Sequence, residues 1–208
     1  MILKRIFPYL SNNNYNNLQI NDEALTYITT HKISQLITDI IISNIPFNIN
    51  LKNITIFDMT ACIGGDSITF SKNFGNVISC EDNTIFYNML INNLNVYDVK
   101  NIITHNEDSL LIYKNYSNID ILYIDPPWGG KDYKKQKKLR LKINEKYIDE
   151  IINDCFSQKT TIKLIVLKLP KNYDLYELYQ LTEYNKINIY LYRLDKMNII
   201  IFNNYSLD

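Results

Sequence analysis

The run Ile119-Asp120-Ile121-Leu122-Tyr123-Ile124 is followed at once by Asp125-Pro126-Pro127-Trp128-Gly129-Gly130. The run reads as a buried strand. Two consecutive prolines remove two backbone donors and fix two φ angles, so the strand must stop there. Pro126 also biases Asp125 toward an extended conformation, which sends its carboxylate and carbonyl out of the strand's end. Trp128, the single tryptophan of the chain, then stands on a rigid turn. The glycine pair after it lets the backbone pass close to whatever lies against the indole. Such a turn suits a flat ring, with an aromatic face on one side and oxygen acceptors at the edge. A proline-rich turn around a core tryptophan would leave similar letters, but the acid before the prolines and the glycines after them favour a site.

The 208 residues, 24.6 kDa, suffice for one domain with a substantial core. Net charge is zero and the pI about 6.7, so any nucleic-acid contact must come from a local patch. Cys62, Cys80 and Cys155 are odd in number and lack metal-ligand spacing. They point to a reduced intracellular compartment and to no structural zinc or other metal. No signal peptide and no apolar run long enough to span a bilayer is read, so no membrane is expected. The wealth of Asn, Ile, Lys and Tyr looks like the imprint of an AT-rich genome, a microbe's or a large DNA virus's. Cytoplasm or nucleus is the expected location, or host cytoplasm for a virus.

Along the chain, SNNNYNN near the start reads as a surface loop. Ile33, Leu36, Ile37, Ile40 and Ile41 recur at helical spacing, predicting a helix from about Thr30 to Ser43 capped by Thr29. His31 reads as a solvated helix-start residue. A strand Ile54–Asp58, a loop with Gly64-Gly65 and a helix from about Ile68 follow. This is how a doubly wound α/β domain opens a nucleotide site, although an ordinary βα turn has the same pattern. No Gly-x-Gly-x-x-Gly is present. The strand Val77–Cys80 ends in Glu81, about twenty residues beyond the loop, where a carboxylate holds a ribose diol. Asp82 is its rival, and alternation does not choose between them. The strand Ile102–Thr104 leads to Asp108, and the strand from Ile119 to Asp125, so acids close successive strands.

The segment Lys131–Lys142 is densely cationic, which a solvated loop or a phosphate-contacting one explains equally. The pattern then predicts a helix from about Asn144 to Phe156, a strand Ile162–Leu169, a helix Leu175–Leu181 and strands Ile187–Leu194 and Asn198–Phe202. The last two strands have no helix between them and must pair antiparallel. The fold class is α/β: a seven-stranded mixed, Rossmann-like sheet with helices on both faces and a short N-terminal helical extension.

Asp-Pro-Pro-aromatic resembles the motif of S-adenosylmethionine-dependent methyltransferases that act on exocyclic amines of bases. The longer form, with Trp128-Gly129-Gly130 and then Asp132-Tyr133, resembles the trimethylguanosine synthase family, whose members methylate the 2-amino group of the 7-methylguanosine RNA cap. Leu169-Pro170-Lys171-Asn172 is similar to that family's Leu-Pro-Arg-Asn. The resemblance spans about Ile20 to Phe202. It implies a class I methyltransferase domain over residues 46–208 and an extension over 1–45 that contributes to the cap and cofactor site, the whole forming one compact unit. The family's Val-Thr-Pro-Glu segment reads Ile28-Thr29-Thr30-His31 here, so only Thr29 carries over. The cofactor set implied is Thr29, Asp58 near the amino-acid end, Gly64 and Gly65 beneath it, Glu81 on the ribose, Asp108 on the adenine amine, and Asp125. Asp125, Pro126 and Trp128 are the expected catalytic residues, and Trp128, Tyr133, Lys171 and Lys196 the cap and phosphate contacts. Family members often carry Ser at position 125 and Lys where Gln19 stands. The expected function is methyl transfer from S-adenosylmethionine to a cap guanine, releasing S-adenosylhomocysteine, with capped RNA as partner and no obligate protein partner evident. The alternatives are an amino-methyltransferase for internal adenine or guanine, and a non-catalytic cap- or RNA-binding subunit.

Overall fold

The structure is a computed structural model that describes residues 2–11, 14–157, 161–185 and 187–205, the side chains of 131 and 182–185 excepted. Seven of its strands form one mixed sheet in the order β3-β2-β1-β4-β7-β9-β8, the α/β class expected. The chain packs as two compact units, Met1–Tyr116 and Ser117–Asp208.

The first unit comprises α1 (Leu3–Ile6), α2 (Ala24–Tyr27), α3 (His31–Ser43), β1 (Thr55–Asp58), α4 (Gly65–Asn73), β2 (Asn76–Cys80), α5 (Thr84–Val96), β3 (Ile102–His105) and α6 (Ser109–Ile112). Its strands are parallel, with Phe57 opposite Ile78 and Ile78 opposite Ile103. All four residues of β1 are buried, as an apolar run covered on both faces demands. Ahead of α3, Ile6, Phe7, Leu10, Tyr15, Leu18 and Ala24 pack into one cluster with Ile63, Ile68, Phe86 and Leu90. Asn93, fully buried on α5, fastens this segment: its Oδ1 accepts the Gln19 N–H at 2.7 Å and its Nδ2 donates to the Gln19 and Ile63 carbonyls. The asparagine run expected as a surface loop includes residues 12 and 13, which lie outside those described. Its end, Tyr15–Asn17, is a 3-10 turn.

Thr29 does not cap α3. The cap is Thr30, in extended conformation and without a side-chain hydrogen bond. The Thr29 hydroxyl instead donates to Asp66 Oδ2 at 2.7 Å. His31 is half-buried rather than solvated, and its Nδ1 is enclosed without a hydrogen-bond partner among the described residues. Burial, then the Lys72 charge, lowers its pKa.

The second unit comprises β4 (Ile121–Ile124), the hairpin β5 (Lys142–Ile143) and β6 (Lys146–Tyr147), α7 (Ile148–Ser157), β7 (Leu164–Pro170), α8 (Tyr176–Asn185), β8 (Asn188–Arg193) and β9 (Met197–Asn203). β4 and β7 run parallel, whereas β9 is antiparallel to both β7 and β8. The helix expected from Asn144 starts at Ile148, because Asn144 adopts a left-handed φ of 50° and turns the hairpin. Glu150 then accepts the Tyr147 N–H at 2.8 Å, satisfying a donor at the helix start.

No helix among the described residues is long and apolar enough to cross a membrane. None of their His, Cys, Asp and Glu side chains gather in a group of three that could hold a metal ion.

Candidate functional site

In the first unit the acids at the strand ends gather around Cys80, the last residue of β2. Burial and the fields of Asp58, Glu107, Asp108 and Glu81 push its thiol up to about 12. The acids themselves are held differently. Asp58 is 1% exposed and turned toward α4, accepting from Ser67 Oγ at 2.5 Å and from the Thr60 N–H at 3.3 Å. Ser67 Oγ also lies 2.8 Å from Ser79 Oγ. This acid therefore fixes the β1–α4 turn.

Glu81 is half-buried and Asp82 exposed, so the acid that turns toward the loop after β1 is Glu81. Its Oε2 accepts the Cys62 N–H at 2.8 Å and its Oε1 the Asn83 N–H at 2.9 Å. Burial raises its carboxyl to about 7; the Asn83 N–H pulls it down, Asp82 pushes it up and the Cys62 N–H pulls it down. A carboxylate kept so short of solvation is ready for hydroxyl donors, which is the chemistry of a ribose diol. Asp108 caps α6, accepting the Leu110 N–H at 2.8 Å. Asn106, beside it in sequence, donates to the Glu81 carbonyl at 2.8 Å and so ties the ends of β2 and β3.

The glycines of the loop answer to packing. Gly64 holds φ at 95°, and a Cβ there would meet Leu90 Cδ1 at 2.9 Å. A Cβ on Gly65 would stand 2.7 Å from the Thr29 carbonyl oxygen. The Thr29–Asp66 hydrogen bond thus closes over the start of α4, and Thr29 and Gly65 are brought together. Unlike a dinucleotide loop, this one has only a pair of glycines to give.

In the second unit, β4 ends at Ile124 and Asp125 follows, half-buried. Ile124 lies opposite Leu167 in the parallel register, which places Lys168 of β7 beside Asp125. Lys168 is 4% exposed, and its Nζ donates to Asp125 Oδ2 at 2.5 Å. The same ammonium lies 5.7 Å from the Trp128 ring centroid. Trp128 is half-buried, packs against Tyr133 with centroids 5.3 Å apart at 74°, and keeps its Nε1 buried without a hydrogen-bond partner among the described residues. Pro126 is buried and Pro127 exposed. Gly129 and Gly130 have φ of 87° and 67° with no atom within 4 Å of an added Cβ. They are needed for their left-handed backbone rather than for close approach. Asn172 secures the turn, donating to the Tyr133 carbonyl at 2.7 Å and to that of Gln136 at 2.8 Å.

Lys171 and Lys196 are exposed and neighbour each other in register, since Pro170 pairs with Met197 where β7 ends and β9 begins. Several cations of the segment have acidic neighbours: Lys135 pairs with Asp132 at 2.6 Å, Lys138 with Asp174 at 3.9 Å and Lys142 with Glu145 at 4.0 Å. Arg140 grips Asp149 through both carboxylate oxygens. Sequence reasoning missed Lys168 and Asn172 as site residues. A lysine inside Leu-Ile-Val-Leu-Lys-Leu-Pro was the available signal for the first.

A sequence model of the family described as RNA cap guanine-N2 methyltransferase matches residues 53–204. A protein of Acanthamoeba polyphaga mimivirus, uncharacterized protein L320, is 36% identical over 98% of this chain and 86% of its own length. Among solved structures, precorrin-6y C5,15-methyltransferase of Geobacter metallireducens GS-15 superposes with a TM-score of 0.59 at 16% identity, over 92% of this chain and 95% of that one. A SAM-dependent methyltransferase of Aquifex aeolicus does so with a TM-score of 0.54 at 12% identity, over 80% and 88%. At such identities these two likenesses concern the fold. The strand-end acids, the Asp-Pro-Pro-Trp turn, the family match and the sheet order converge: the chain belongs to the RNA cap guanine-N2 methyltransferase family and is an S-adenosylmethionine-dependent methyltransferase.

Proposed function

We propose that the protein methylates the 2-amino group of the 7-methylguanosine cap of RNA. The observation that carries this reading is the Asp125-Pro126-Pro127-Trp128 turn at the carboxyl end of β4, whose carboxylate and indole lie 2.5 Å and 5.7 Å from one ammonium, in a chain of the cap guanine family. When bound, S-adenosylmethionine supplies an electrophilic methyl group on sulfur. Glu81 suits the ribose hydroxyls, since each of its oxygens keeps acceptor capacity beyond the backbone N–H it holds and Cys62 ties it to the loop. Asp108, already a cap for α6, is assigned the adenine amine through its remaining acceptor capacity.

A guanine amine is a weak nucleophile because its lone pair is delocalised into the ring. The Asp125 carboxylate and the Pro126 carbonyl, as hydrogen-bond acceptors, raise electron density on that nitrogen and disperse the charge that develops as it is methylated. Trp128 stacks on the base, and the positive ring of 7-methylguanine adds a cation–π attraction of about 0.5–2 kcal/mol. Lys171 and Lys196, exposed and adjacent in register, take the cap phosphates, and Tyr133 lies against the indole to complete the platform.

A carboxylate where family members often have Ser favours a second reading, methylation of an internal adenine or guanine amine. Labelled methyl transfer onto 7-methylguanosine triphosphate and guanosine triphosphate, with the product nucleoside identified by mass, decides between them. A 2-methylated product and a preference for the 7-methylated nucleotide support the cap reading. Equal use of both nucleotides overturns it.

A further inference from the structure

We infer that Lys168 is a positioning residue for methyl transfer, acting on the acceptor amine through Asp125; the inference rests on the amine-methylation reading above. Three observations carry it. First, Lys168 is the charged residue of β7, Leu164–Pro170, a strand whose residues are all buried. Burying an ammonium is costly even when it is paired, and apolar side chains of similar volume in place of both Lys168 and its acid partner would be at least as stabilising. Stability alone therefore gives no reason for the pair.

Second, the partner is the acid of the Asp-Pro-Pro-Trp turn. The parallel register sets the two residues next to each other where β4 and β7 end, and the ammonium donates to Oδ2 at 2.5 Å, with side-chain exposures of 6% and 15%. An ion pair this enclosed is barely screened by solvent, so it fixes the carboxylate's orientation. Third, the same ammonium lies 5.7 Å from the Trp128 ring centroid. One cation thus ties together the carboxylate that accepts the amine and the ring that stacks on its base. Lys168 also offsets the carboxylate's charge, which makes Asp125 an oriented hydrogen-bond acceptor and keeps the platform neutral toward a cationic base. Turnover depends on this orientation; cofactor binding, assigned to Glu81 and Asp108, does not.

The test compares Lys168→Met, Lys168→Arg, Asp125→Asn and the double variant Asp125→Asn/Lys168→Met for kcat, KM of the methyl acceptor, S-adenosylhomocysteine affinity and thermal midpoint. Lys168→Met should lower kcat about a hundredfold, with acceptor KM and cofactor affinity within about threefold. Lys168→Arg keeps the charge and should recover most of that loss. The double variant has no buried lone charge and should fold as well as the parent, yet turn over no more slowly than Asp125→Asn alone, because the pair acts as one unit. The inference fails if Lys168→Met turns over within threefold of the parent, if its loss appears equally in cofactor affinity and thermal midpoint, or if the losses multiply in the double variant. Failure of the cap reading shows separately, in the unmutated protein's choice of nucleotide, and the Lys168 comparison is then made on whichever base amine it methylates fastest.

Discussion

Glu81 Oε2 accepts the backbone N–H of Cys62 at 2.8 Å, so the acid that ends β2 is anchored to the loop that follows β1. Cys62 itself has a left-handed φ of 49°, which aims its N–H at the carboxylate. The tie couples a titrating group to the shape of the proposed cofactor loop.

From this follows a pH dependence of cofactor affinity. Glu81 has its folded pKa raised to about 7 from an ordinary 4.5. Its contribution to stability without ligand is therefore fully present below 4.5 and is lost as pH rises toward 7. Ribose hydroxyls donate to the ionised form, so ligand binding runs the other way. Calorimetric affinity for S-adenosylhomocysteine should strengthen between pH 6 and pH 8, by up to about tenfold per unit below the pKa, and Glu81→Gln should flatten the curve. A pH-independent affinity in the unmutated protein counts against Glu81 as the ribose ligand.

Asp58 should prove a folding residue as much as a binding one. Asp58→Ala leaves the buried hydroxyl of Ser67 short of its carboxylate acceptor, at a cost of about 1–3 kcal/mol. Asp58→Asn retains an oxygen for Ser67 and should lose less. Thermal unfolding without cofactor measures both, and an unchanged midpoint for Asp58→Ala refutes the assignment.

Two glycines should rank by the backbone they face. An added Cβ meets the Lys52 carbonyl oxygen at 1.9 Å from Gly75, and the Thr29 carbonyl oxygen at 2.7 Å from Gly65. Gly75→Ala should destabilise more than Gly65→Ala, each by roughly 1–3 kcal/mol or more. Gly65→Ala should also weaken cofactor binding if Thr29 borders that site. The reverse ranking in denaturant midpoints would mean that the β1-flanking loops yield where the α3–α4 contact does not.

The cationic segment should act through particular lysines. Lys134 lies 5.8 Å from the Tyr133 ring centroid and Lys137 is exposed, neither in an ion pair among the described residues, whereas Lys135 and Lys138 have acidic neighbours. Replacing Lys134 and Lys137 together by alanine should weaken capped-RNA binding and reduce its salt slope by about 1.4, at about 0.7 per single-strand contact. The same change at Lys135 and Lys138 should do less. Equal effects of the two pairs would return the whole segment to a solvated loop.

Most strands were legible as apolar blocks, and Asp58 ends β1 while Glu81 and Asp125 directly follow β2 and β4; Asp108 instead stands three residues past the end of β3, as the cap of α6. Two kinds of residue were not. Thr29 has the type and place of a helix cap, yet it bonds a helix remote in sequence, and pattern reading weighs only neighbours. Lys168 departs from its apolar strand, but its meaning depends on register: Ile124 opposite Leu167 makes it the neighbour of Asp125, and register is a tertiary fact. The hairpin Lys142–Tyr147 was absorbed into a helix because Asn144, its left-handed turn residue, is also an ordinary letter at a helix start.

The three thiols differ sharply in chemistry. Cys80 closes β2 with its thiol pushed up to about 12, Cys155 is 2% exposed in α7, and Cys62 is half-buried, with no disulfide among the described residues. Maleimides react with thiolates they can reach. The unmutated chain therefore offers one kinetically favoured labelling position, and that residue's own amide is the donor to Glu81. A fluorophore attached there would report loop occupancy directly, and protection from the reagent would give a cofactor titration that needs no engineered cysteine and no methyl acceptor.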